Sequence, residues 1–587
     1  MLIALNPIQH EYCLDRAPMG DIDFSSLSPI TEPGITILVA LLACLVACVW
    51  PKKSEWLLRA MERPFSRFAG HKTLAVVTIF LAVLAIRLAL LPVVQVPTPG
   101  IHDEFSYLLL GDTLAHGRLA NPTHPMWRSF ETFHVLWFPT YASKYPPAQG
   151  AVLALGQLLG HPWIGVLLSA AAMCAAIVWM LQAWMPARWA FLAGALAAIK
   201  LCIVCYWMNS YWGGAVAAIA GALVLGALAR ILQRPTLTLG VLLGLGIAIL
   251  ANSRPYEGLF FCLPVAFVLL RWILGKTKHG RTRPQPALRV ILPVAVILLV
   301  TFLFMGYYNW RVTGSPFIPP FVAAAHTYER FANFIWQKNA PMIHYNNLEM
   351  EWFYNHWARN NYARTWDSLE DASIDKLYRC QAVYAWLALL LLLPGLLFLY
   401  RDKRMRFLLV VLLIVLLAYF ITTWPNPHYI APVTCILYGV IVQAMRHLRQ
   451  MYYRKRPIGA ALSRAIVLVL VVDVSQFAAT GYGDPMGWGG GGLQRRVEIQ
   501  QQLDHTPGKH LVIVNYKGKH SIHDEWVYNG ADIDGSKVVW ARDLGPEQNA
   551  KLMSYFKDRS VWIVKAGVET EPLVRYPEDS AIATPAP

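Results

Sequence analysis

What most constrains this chain is the recurrence along it of apolar runs about as long as a membrane is thick. A spanning helix needs about 20 mostly apolar residues, with a range of roughly 17 to 25. Twelve stretches reach or approach that length: 34 to 50, 73 to 95, 163 to 184, 188 to 208, 212 to 230, 236 to 252, 258 to 275, 289 to 307, 381 to 400, 406 to 422, 429 to 446 and 463 to 480. With 56% hydrophobic and 15% charged residues over 587 positions, the chain is too apolar and too long for one soluble core. The sequence therefore predicts an all-α polytopic membrane protein with about 12 transmembrane helices.

The formal charge of +16 would suggest nucleic acid in a soluble protein. Here many of the basic residues fall in short links between apolar runs, and membrane orientation explains them. With the N-terminus outside, the inner links hold Lys52, Lys53, Arg59, Arg63, Arg67 and Lys72, then Arg188, Arg230 and Arg234. The later inner links hold Lys276 to Arg289, Arg401 to Arg406, and Arg446 to Arg464. The outer face then receives segment 1–33, loops 96–162 and 309–380, the short turns near Asn209, Arg254 and Trp424, and everything after about Gly481. Both termini are thus expected on the periplasmic side of a bacterial-type inner membrane, with no nucleic-acid partner. Residues 34–480 form the membrane domain. The N-terminus has no basic region ahead of an early apolar core, so the first run is expected to be retained.

Tyr145 to Gly160 is apolar but too short to span comfortably, and is read as a juxtamembrane helix on the outside. Seven of the 9 cysteines lie in apolar runs, so no disulfide framework is expected. Cys202 and Cys205 form a C-x-x-C inside one such run and are read as packing.

After Gly481 the pattern changes. A glycine-rich stretch leads to a helix at Leu493 to Leu503. The runs H-L-V-I-V-N-Y, S-K-V-V-W-A-R and V-W-I-V-K-A read as strands, with a helix at Pro546 to Lys557. Residues 481–587 are thus expected to form a small α/β periplasmic domain with a disordered tail. The string I-H-D-E occurs at Ile101 to Glu104 and again at Ile522 to Glu525, in differing surroundings, and is read as coincidence.

The loop from Ile101 to Gly150 is the densest in polar and aromatic residues. Asp103 and Tyr107, four apart, would share one face of a helix, with Glu104 turned about 100° away. Two roles are open for Asp103 on spacing alone: capping the helix, or holding a carboxylate just above the lipid, where an acceptor meets a lipid-borne substrate.

An outer loop after an early span that opens D-E-x-x-Y (Asp103, Glu104, Tyr107) and continues to P-P (Pro146, Pro147) before a short apolar helix resembles the GT-C glycosyltransferases. The resemblance is to the branch with protein O-mannosyltransferases and lipid A aminoarabinose transferases. W-P-N-P-H-Y-I-A-P, Trp424 to Pro432, is similar to that family's late outer turn. The resemblance runs over roughly residues 73 to 446 in layout. The basic residue, Lys144, stands one tyrosine away from P-P rather than directly before it.

What the resemblance implies is inverting transfer of a sugar from a polyprenyl-phosphate carrier to an acceptor hydroxyl of a lipid, glycan or protein. Asp103 would be the general base and Glu104 its neighbour in positioning or tuning. An alcohol is a poor nucleophile until its proton is removed, so a base is needed. The leaving phosphate calls for cations near the membrane surface: Lys144, Arg254, Arg87 and Lys200, the last two lying within spans, where charge is costly. Arg254 sits before Pro255, which breaks the helix, with Glu257 as its salt-bridge partner. His428 and Tyr429 are read as carrier contacts. The aromatics of Tyr206 to Gly214 read better as an interfacial belt than as a sugar platform. No cofactor is required by these motifs, although the Asp103–Glu104 pair would accept a divalent metal ion. A transporter or lipid flippase is the alternative, since charges within spans and a broken helix also suit transport.

Overall fold

The computed structural model describes residues 42, 45, 49, 55–275, 284–362, 369–384, 392, 395–452, 456–480, 493–516, 521–566 and 573–576. The expected N-terminal segment, almost all of the first apolar run, the glycine-rich stretch and the C-terminal tail lie outside these residues.

Six of the described helices are long and apolar enough to cross a membrane: Lys72–Ala89, Pro162–Leu181, Pro255–Leu274, Pro286–Thr313, Lys403–Ile421 and Pro427–Leu448. Ala215–Ile231, Leu237–Ala251 and Ile458–Val472 are shorter apolar helices. Several helices open on a proline at their first position, where its missing N–H is no loss and its fixed φ suits the first turn. The run 188 to 208 is helical only over Ala187–Leu201. From Cys202 to Gly214 the backbone is irregular, and Tyr206, Trp207 and Trp212 turn inward, each at most 4% exposed. The expected belt of aromatics at the lipid surface is therefore a buried aromatic layer. Gly214 permits it, because a Cβ there would lie 2.5 Å from the Trp207 ring. The Cys202 thiol lies 3.4 Å from Cys174 across the core, in keeping with packing.

The short helix expected outside the membrane is Pro147–Leu158. It packs against His102–Ala115, and the bundle's connecting loops gather around this pair. Ala148 donates to the Asn252 carbonyl at 3.0 Å, Phe334 bridges to Thr422, and the Tyr211 amide reaches Glu104. The Ile101 loop, the turns near Asn209, Arg254 and Trp424, and the loop after Asn309 thus meet at one end.

Within the first loop, Val135–Leu136 (β1) and Ala142–Ser143 (β2) form a small antiparallel ribbon. The C-terminal α/β unit holds Lys509–Asn515 (β3), Val538–Arg542 (β4), Arg559–Lys565 (β5) and Val574–Arg575 (β6) in the order β4-β3-β5-β6. β3 is parallel to both neighbours, and β6 runs antiparallel to β5. Gln494–His505 and Pro546–Tyr555 are its helices. The near-continuous apolar strings of β3 and β4 suit a sheet covered on both faces.

Three apolar cores converge on His102–Ala115. Tyr107 belongs to the helical bundle, Phe105 and Leu109 to the core of the α/β unit, and Leu110 to a cluster with Phe133, Tyr308 and Phe353. A helix apolar on all sides is one that is enclosed. This one carries Asp103 in its first turn.

Candidate active site

Glu104, three residues after the N-cap position Ile101, folds back so that its Oε2 accepts from the Gly100 and Ile101 amides at 2.6 and 3.2 Å. Its Oε1 accepts from the Tyr211 amide at 2.9 Å. Glu104 thus satisfies amides of the helix start and ties it to the buried aromatic segment. The helix start is capped by Glu104, not by Asp103. Asp103 sits one position earlier, where the positive end of the helix dipole favours a carboxylate, and its side chain is 25% exposed.

Tyr145, between Lys144 and the two prolines, donates its phenol hydrogen to Asp103 Oδ1. Burial and the Asp103 charge push that phenol well above its ordinary pKa, so it stays a donor. The same ring stacks on Tyr107 with centroids 4.1 Å apart and planes 13° from parallel. Asp103 and Tyr107 thus share a helix face, with Tyr145 spanning both. Tyr107 is pushed up to about 12, mostly by burial.

Near this tyrosine pair stands Arg254, in the turn between Leu237–Ala251 and Pro255–Leu274. Its guanidinium carbon lies 4.5 Å from the centre of the Tyr429 ring. Tyr107, Tyr429, Glu257 and Tyr145 surround it within electrostatic reach. Glu257 is buried in the first turn of Pro255–Leu274. His428, also buried, meets the Tyr206 hydroxyl at 3.0 Å through Nδ1 and the Trp212 ring edge-on at 4.6 Å.

On the other side of Asp103 is His134, 3.8 Å from Oδ2 through Nε2 and 3.7 Å from Glu329 through Nδ1. His134 adopts a φ of 61°, a left-handed conformation uncommon away from glycine. It is held there by its carbonyl, which accepts from the Ser106 hydroxyl at 2.7 Å and from the Lys144 amide at 3.2 Å. Lys144 is buried and its ammonium meets Glu329 at 2.5 Å. Burial alone would raise Glu329, but Lys144 and His134 outweigh it and hold the carboxyl at about 2. His102, pressed flat against Phe133 at 4.1 Å, donates from Nε2 to the Ile522 carbonyl at 2.9 Å. Burial, then the neighbouring His523 and His134, hold its pKa well below the usual imidazole value.

The structure therefore brings together Asp103, Tyr107, Lys144, Arg254, Glu257, His428 and Tyr429. Arg87 is buried elsewhere in the bundle, with its guanidinium donating to the Val94 and Gln95 carbonyls and to Asn209 at 2.6 to 3.0 Å. It fixes the chain leading into the Ile101 loop. Lys200 is buried at the last turn of Ala187–Leu201. The D-x-D string at Asp532 to Asp534 turns to its own surroundings, Asp532 to the Gly535 amide and Asp534 to His124.

No protein-family model matches this sequence, and no curated protein does either. Among solved structures, the Archaeoglobus fulgidus oligosaccharyltransferase tethered with an acceptor peptide aligns over 83% of this chain and 68% of its own, at 10% identity and a TM-score of 0.46. ArnT from Cupriavidus metallidurans aligns over 84% of this chain and 93% of its own, at 14% identity and a TM-score of 0.45. The same ArnT bound to undecaprenyl phosphate gives 12% identity and a TM-score of 0.44.

Four residues at the site escape a reading of motifs: Tyr145, His134, Glu329 and His523. Tyr145 lay in plain view inside K-Y-P-P, and its signal was its place beside the prolines. His523 lay in the second I-H-D-E string. Nothing in the local sequence marks His134 or Glu329. Among the described residues, no cluster of three or more His, Cys, Asp or Glu is arranged to hold a metal ion.

Proposed function

We propose that this chain is a GT-C-like membrane glycosyltransferase that moves a sugar from a polyprenyl-phosphate carrier to an acceptor hydroxyl at the periplasmic face. The observation that carries this reading is that the stacked Tyr107–Tyr145 pair links one partly exposed carboxylate, Asp103, which accepts from Tyr145, to one cation, Arg254, within electrostatic reach of both rings.

Asp103 takes the acceptor proton as the acceptor oxygen attacks the anomeric carbon. The bond from that carbon to the carrier phosphate breaks on the opposite face, so the configuration inverts. Arg254 offsets the charge that builds on the departing phosphate, a stabilisation greatest where water is excluded. Tyr145 fixes the rotation of the Asp103 carboxylate, leaving Oδ2 to the acceptor. Lys144 acts through Glu329 and His134 rather than on the phosphate, because its charge is already matched.

The test is consumption of a panel of polyprenyl-phosphate sugars by the purified protein in lipid, with membrane extract as acceptor source. One donor is expected to be consumed by the wild type, with Asp103→Asn slower by at least about a hundredfold, the scale of a lost general base. Full activity in a folded Asp103→Asn would overturn the mechanism. Consumption of no donor would favour the transport reading.

A further inference from the structure

The two copies of I-H-D-E meet in space. His102 of the first donates to the Ile522 carbonyl of the second at 2.9 Å, across 420 positions of sequence. That contact fixes the backbone next to His523, whose ring lies 5.6 Å from the His102 ring. Trp357, from the long loop after Asn309, meets the His523 ring edge-on at 4.8 Å, and Phe353 does so at 6.4 Å. Unlike His102, which is 2% exposed and spent on a carbonyl, His523 keeps part of its surface open. Asp103 and His134 both lie within electrostatic reach of it. The α/β unit therefore brings a partly open imidazole within reach of Asp103, among His102, His134 and Trp357.

We propose that His523 is an acceptor-binding residue, supplied to the site by the C-terminal unit, that hydrogen-bonds the acceptor beside the hydroxyl deprotonated by Asp103. This rests on the glycosyl-transfer reading and deepens it. The donor is held on the Arg254 side by the bundle. The acceptor is held by a residue of the tail, with the half-buried Trp357 as an apolar wall suited to the carbon-bound face of a sugar ring. The acceptor class that fits is a polyhydroxylated one, a glycan or glycolipid headgroup.

The experiment compares the wild type, His523→Phe and His523→Asn in lipid, using the polyprenyl-phosphate sugar that the wild type consumes and membrane extract as acceptor source. Transfer is measured against acceptor-independent hydrolysis of the same donor. Phenylalanine keeps the packing on Trp357 and removes the hydrogen bond. It is expected to lower kcat/KM for the extract by about tenfold, as a lost hydrogen bond in a closed site does, and to leave donor hydrolysis and donor KM unchanged. Asparagine, which can still donate, is expected to recover to within about threefold of the wild type. Transfer by His523→Phe at the wild-type rate, or an equal fall in transfer and hydrolysis, overturns the inference alone. A wild type that consumes no donor overturns the glycosyl-transfer reading and the inference with it.

Discussion

Lys144 and Glu329 form an ion pair at 2.5 Å between two side chains each less than a tenth exposed. Removing one partner of such a pair leaves a buried charge uncompensated, at a cost of about 3–5 kcal/mol. Glu329→Gln is expected to lower stability by that amount at neutral pH, read from thermal unfolding in detergent. The double variant Lys144→Met/Glu329→Leu should recover most of it. The pH dependence follows from the Glu329 carboxyl, whose folded pKa of about 2 lies below its usual value near 4.5. Its contribution is complete above about 4.5 and is lost as pH falls from there toward about 2. The wild type should therefore lose stability more steeply than the double variant across that window. Nearly equal slopes would show that the pair does not govern acid sensitivity.

At the scale of elements, the entry to His102–Ala115 and its packing decide where Asp103 stands. Glu104 accepts three amide hydrogens there, so Glu104→Ala is expected to cost about 1–3 kcal/mol by leaving buried donors unmet. Its effect on transfer should come through displacement of Asp103, visible as a loss in kcat that Glu104→Gln recovers only in part, because glutamine has one acceptor oxygen where Glu104 uses two. Where Pro147–Leu158 meets Pro162–Leu181, a Cβ on Gly165 would lie 2.0 Å from the Val152 carbonyl oxygen. The obstacle is backbone, which cannot step aside as a side chain does. Gly165→Ala should destabilise by about 1–3 kcal/mol or more, measured as a fall in unfolding temperature. An unchanged midpoint would mean that the two helices can separate freely.

Across the whole molecule, Arg542 on β4 joins Glu349 of the long loop at 2.8 Å to Glu525 of its own unit at 2.5 Å, and is 2% exposed. Arg542→Leu should loosen the α/β unit from the loop and speed limited proteolysis between them, with the bundle helices still protected. Much of this architecture was legible in the sequence. Apolar length marked the helices, proline marked where several of them begin, and the alternation of strand and helix strings marked the α/β unit. The loops expected on one face do gather at one end, because short connections between spanning helices leave them little choice. What could not be read is what depends on distance along the chain. Lys144 finds Glu329 185 positions away, and His102 finds Ile522 420 positions away. Periodicity and spacing describe neighbours within a turn or two, so such pairs leave no local trace. Arg87 reaches Asn209, 122 positions on, in the same way.

The reach from His102 to Ile522 also sets an order of events during synthesis. A nascent chain that has already threaded Pro162–Leu181 through Pro427–Leu448 into the bilayer still lacks the segment on which His102 closes. Domains form in the order in which they leave the ribosome, so the bundle forms first and the surroundings of His102 are completed only when the α/β unit has docked. Until then His102 and Asp103 lack the neighbours that the α/β unit brings, and a half-made chain has no finished site.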